Sequence, residues 1–156
     1  MSDVLDGLDL VGWDQYAQPA WNAVGEVAAS LLALADGGDP DRWRSYNRVL
    51  YALGNNHAGK YFPVVVPTLP FLGQILRGSA LIARLRALDV LIDIVGSFEP
   101  EPGHEEIEDE TGRRPLKVAV LDAAAQLSTD IERIHRHPGS DEEARLSGEL
   151  LAHLGG

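Results

Sequence analysis

The chain has 156 residues, 45% of them hydrophobic and 24% charged, with a formal net charge of −11. That length carries one well-buried domain and not two ordinary ones, and the composition excludes a disordered chain. The absence of cysteine excludes disulfide and thiolate chemistry, and the acidity disfavours nucleic acid as a default partner.

The acidic start, MSDVLDGLDLVGWD, lacks the basic lead and long apolar core of a secretory signal. Apolar runs are broken by Pro, Arg or Asp, so no segment is expected to span a bilayer, and the expected location is cytoplasmic, in a bacterial-type protein. Charge is sorted into blocks along the sequence. Residues 1–41 hold eight acids and no Lys or Arg; 42–88 hold seven bases and no acid; 89–110 hold nine acids and no base. Such blocks predict strong local fields that steer charged partners.

Residues 1–15 read as an acidic lead-in packed by Leu8, Leu10 and Val11, and 16–156 as one helical-repeat domain. The first helix is predicted from Pro19 to Ala35, with Val24, Val27, Leu31 and Leu32 at helical spacing before Gly37-Gly38. The second runs from an Asp39 cap and Pro40 to Leu53, with Trp43, Tyr46, Val49, Leu50 and Leu53 as its core stripe. Prolines 63, 67 and 70 predict an irregular start over 64–68, no interior strand, and a regular third helix from Leu69 to Arg77. The fourth helix, capped by Ser79, is expected over 80–98, antiparallel to the third because their link is so short. EPEPGHEEIEDETGRR, residues 99–114, has almost nothing apolar except Ile107 and reads as an acidic mobile loop. A fifth helix is expected over 115–135. A sixth follows the His137-Pro138-Gly139 turn, opened by a Ser140–Glu143 capping box.

The stretch from Leu50 to Phe98 resembles HEAT-like helical-repeat proteins. VVVPTLPFLGQILRG stands as the first helix of a pair and SALIARLRALDVLIDIVGSF as the second. It is similar to small bacterial HEAT-like proteins in which a segment like NNHAGKYFP precedes the proline-rich helix, here Asn55, Asn56, His57, Gly59, Tyr61 and Pro63. The resemblance implies an all-α fold, a short superhelix of three antiparallel helix pairs. It also implies a protein-interaction role, in some relatives an immunity-like one.

The candidate partner-binding residues are Asp89, Asp93, Glu101, Glu105, Glu106, Glu108, Asp109 and Glu110, with Trp13 as an aromatic anchor. Carboxylates in such number suit a basic cleft. The alternative is a solvated linker, with Asp89 paired to Arg86 or Arg84 inside its own helix. The loop motif is His57, Gly59, Lys60 and Tyr61. Gly54 and Gly59 are expected to supply positive φ, the Asn pair local backbone bonds, and His57 a pin for the loop. Trp21 reads as part of a staple with Tyr16 and Pro19. His135 and His137 do not share a helix face, so no metal, cofactor or catalytic residue is assigned.

These features predict a non-enzymatic module that binds a basic protein, as an immunity-type protein occluding the active site of a toxin or nuclease-type domain. One alternative is a homo-oligomeric scaffold with acidic and basic blocks paired head to tail. Another is a nucleic-acid binder or glycosylase-like enzyme using Arg42, Arg44, Arg48, Lys60 and Arg77.

Overall fold

The computed structural model describes residues 5–37, 43–78, 80–110 and 112–155. Among them are seven α-helices: α1 Glu26–Asp36, α2 Arg44–Leu53, α3 Val65–Leu76, α4 Leu81–Gly96, α5 Leu116–Ala125, α6 Ser128–Arg136 and α7 Asp141–Gly155. Four short strands accompany them: β1 Lys60–Tyr61, β2 Glu99–Pro100, β3 Glu106–Asp109 and β4 Gly112–Pro115. The protein is therefore mostly helical, and no described helix is long and apolar enough to cross a membrane. Asp39, Pro40 and Ser79, the expected caps and helix start, lie outside the described residues.

Consecutive helices α1–α2, α3–α4 and α6–α7 pack as neighbours, and the outer helices rest mainly on α3 and α4. The core explains that arrangement. Leu69, Leu72 and Leu76 of α3 and Leu88, Val90 and Leu91 of α4 are at most 1% exposed. On α4 alone, Ala83, Leu85, Ala87, Leu88, Val90, Leu91 and Ile94 are buried, too many for a single stripe, so α4 buries surface toward α1 and α2 on one side and α7 on the other.

The first helix begins at Glu26, not Pro19. The Trp21 indole and the Asn22 amide donate to the carbonyls of Tyr51 and Ala52, and Gly25 sits at φ 81°, so residues 19–25 turn. Val24, expected on the apolar stripe, is fully exposed as a result, and the Trp21 ring stacks on Tyr51 in place of a staple. The third helix is regular from Val65, earlier than expected. Val64–Val66 form no strand, and Pro67 lies in the first turn, where its missing N–H costs nothing. Only Pro70 forfeits an interior bond.

The predicted fifth helix is two. Gln126 and Leu127 donate to carbonyls three residues back, tightening the chain, and Leu127 drops onto Gly73 of α3. A Cβ at Gly73 would stand 2.6 Å from Leu127 Cδ2, so this close approach needs the glycine. The capping box is present in altered form: Glu143 N–H donates to Ser140 Oγ at 3.0 Å, while the Glu143 carboxylate turns to Gly139 N–H and Arg84. In the lead-in, Leu5 and Leu8 are buried and Leu10 is exposed, around two short 3₁₀ turns.

Candidate functional site

The acidic segment does not stay an unstructured projection. Its first part pairs as β2 in parallel with β1, Lys60 opposite Glu99 and Tyr61 opposite Pro100. The second forms an antiparallel hairpin, with Glu106 opposite Pro115, Ile107 opposite Arg114 and Glu108 opposite Arg113. Ile107 is the reason: one apolar side chain at the middle of β3 is buried to 6% exposure and holds the hairpin against the helices. Strand alternation then sends Glu106 and Glu108 outward.

The loop before β1 is built by two glycines with different tasks. Gly59 has φ 68°, the left-handed value expected of it. Gly54 does not; its φ of 175° is extended, and its role is space, since a Cβ there would meet the Lys60 carbonyl oxygen at 2.0 Å. Asn55 accepts from Ala58 N–H, the local bond expected of an Asn in a turn. His57 is exposed and makes no hydrogen bond to any described residue, so among these it pins nothing. Tyr61 is 1% exposed, and burial, then the Glu99 charge, pushes its hydroxyl above the ordinary value. The loop motif is joined to the acidic segment through Glu99 N–H to Gly59 O and Glu101 N–H to Tyr61 O, and His104 lies on Phe62.

Charge in this region is partly cancelled by the bases just after it. Glu106 pairs with Arg113, Asp109 with Arg114, and Glu99 with Lys117. Glu101, Glu108 and Glu110 have no side-chain partner among the described residues. Glu105 accepts from Gly103 N–H, and that backbone bond lowers its pKa. Four carboxylates, Glu101, Glu105, Glu108 and Glu110, are thus paired with no base among the described residues.

Asp89 and Asp93 lie elsewhere. Both are half-buried on α4, in a seam with α2 and α7. Asp89 Oδ2 stands 3.3 Å from Arg86 Nη2, the intrahelical pairing weighed for it. Arg86, 1% exposed, also reaches Glu142 of α7 at 3.1 Å, and Trp43 lies over its guanidinium, 4.3 Å from Cζ to the ring centroid. Trp43 is therefore not a core residue; at 42% exposure it covers a buried cation. The Tyr46 hydroxyl donates a hydrogen bond to Asp93 Oδ2. Burial raises the Asp93 pKa, against the Tyr46 bond, and raises that of Tyr46 too.

Trp13 is half-buried, packs on Phe71 at 6.0 Å between centroids and donates to Leu8 O, which fastens the lead-in to α3. Among the described residues, neither Trp13 nor the two aspartates is bonded to the unpaired carboxylates. Sequence reasoning missed Trp43, Tyr46 and Glu142 as one cluster with Arg86. The i,i+3 spacing of Arg86 and Asp89 was the one visible signal. It also missed the Trp21–Tyr51 stack, whose rings are 4.9 Å apart and about half exposed.

No family model, curated protein or solved structure matches this chain.

Proposed function

We propose that this chain is a non-enzymatic protein-binding module of the immunity type. Its unpaired carboxylates, Glu101, Glu105, Glu108 and Glu110, dock over a basic cleft of a toxin or nuclease-type domain and exclude that domain's substrate. The observation that carries the reading is the hairpin: an ordered support, anchored by Ile107, that turns Glu108 outward between Glu105 and Glu110, none of the three paired to a base among the described residues. A preorganised loop loses less conformational entropy on docking than a floppy one. The finer architecture in this reading is a HEAT-like superhelix, supported by α1 and α2 both packing on α4 and by α5 and α7 packing on the middle pair, with α6 resting mainly on α7. The nucleic-acid alternative loses support because Arg48 and Arg77, two of the bases it needs, are committed to Glu26 and Asp130.

The test is affinity capture from the source cells with the wild-type chain and a variant carrying Lys at 101, 105, 108 and 110, washed across a salt series and read by mass spectrometry. A basic partner retained by the wild type and lost by the variant is expected, with association slowed at low ionic strength. Equal capture by both chains would remove the acidic surface from the mechanism.

A further inference from the structure

The seam between α2, α4 and α7 holds charges that are not matched group to group. Arg86 gives Nη2 to Glu142 and lies beside Asp89, yet its Nε and Nη1 have no hydrogen-bond partner, and neither does Asp89 Oδ2, although all three atoms are buried. Unbonded buried donors and an unbonded buried acceptor in one seam are costly, and native structures rarely keep them without a reason. A guanidinium is a rigid fork of five donors. Its Nη2 alone stands between the two carboxylates, 3.1 Å from Glu142 Oε2 and 3.3 Å from Asp89 Oδ2, so the two acids share one nitrogen and the charge on one sets how the guanidinium leans toward the other.

We propose that this seam is a proton-operated latch, in which ionised Asp89 draws the Arg86 guanidinium toward itself and protonated Asp89 releases it to Glu142. Trp43, lying on the guanidinium one residue before α2, carries the change to that helix. This goes beyond the docking role, which uses carboxylates on the hairpin.

The groups facing Asp89 come from three helices: Arg86 and Asp93 from α4, Glu142 and Arg145 from α7, and Tyr46 from α2, with Glu149 of α7 acting on Asp93. Burial pushes Asp89 up to about 6; Arg86 and Arg145 oppose the rise, and Glu142 and Asp93 add to it. The latch therefore changes state in mildly acidic solution, where an ordinary aspartate is fully ionised.

Trp43 reports on it directly. In a Trp13→Phe, Trp21→Phe chain, Trp43 emission is followed from pH 4.5 to 8 while circular dichroism monitors the helices. The expected result is one transition near pH 6 at constant helicity, abolished by Asp89→Asn. Flat emission, or a transition that survives in the Asp89→Asn chain, overturns the latch. If the two Phe substitutions unfold the chain, nuclear magnetic resonance of the wild type replaces them. The Asp89 carboxyl carbon and the Arg86 Nε–H should then titrate together near pH 6, and Asp89 titrating in the ordinary aspartate range overturns the latch.

Discussion

Glu143 shows how one side chain can fix a helix junction. It is 1% exposed and accepts from Arg84 Nε at 2.7 Å, Arg84 Nη2 at 3.2 Å and Gly139 N–H at 2.7 Å. Burial pushes its pKa up, but the Arg84 and Gly139 bonds together outweigh burial and hold it below the ordinary value of 4.5. The sign follows: the unfolded chain binds the proton first, so the contribution is full above pH 4.5 and is lost as pH falls through the lower folded value. Glu143→Ala leaves Arg84 without its carboxylate, and breaking such a buried pair costs about 3 kcal/mol. Urea unfolding at pH 7 should show that loss, and the gap between variant and wild type should close toward pH 3. The capping-box spacing of Ser140 and Glu143 is visible in the sequence, as is the i,i+3 relation of Arg86 and Asp89. The partner Arg84, 59 residues from Glu143, is not, because it depends on where α4 meets α7.

Helices were legible where an apolar period and a stop signal coincide, as in α2, whose buried Val49, Leu50 and Leu53 end at Gly54. They were misread where side chains from another element intervene. Trp21 and Asn22 spend their donors on the end of α2, which unwinds the expected start of α1. Leu127 finds a glycine-floored slot on α3, which divides the long fifth helix. The acidic segment was misread for a related reason: composition averages over sixteen residues, whereas order there rests on one buried side chain and four ladder positions. Ile107→Ala should therefore loosen the hairpin selectively. A loss of about 2 kcal/mol is expected, at the lower end for a buried Ile→Ala change. Amide exchange should quicken in β3 and β4 more than in α3 and α4. Uniform quickening through the whole chain would mean that the hairpin is not a separately anchored unit.

At the scale of the whole molecule, blocks of like charge in the sequence become pairs in space. Arg48 of the basic block meets Glu26 of the first acidic block, Arg77 meets Asp130, and Arg84 meets Glu143. Among the described carboxylates left without a base, Glu101, Glu105, Glu108 and Glu110 stand closest together in the chain and form a short rim. Replacing these four with Lys should cost no more than about 2 kcal/mol of folding stability in all, at about 0.5 kcal/mol for each surface change. A thermal melt checks this, and a large loss would assign the rim a structural role. The sequence by itself determined an acidic, mostly helical chain and most helix ends, because periodicity, proline and glycine act on neighbouring residues. Only the tertiary structure decided which carboxylates are neutralised, which aromatic covers the buried arginine and whether the acidic segment is folded. Those outcomes depend on contacts between residues far apart in the chain, which close only when the helices pack.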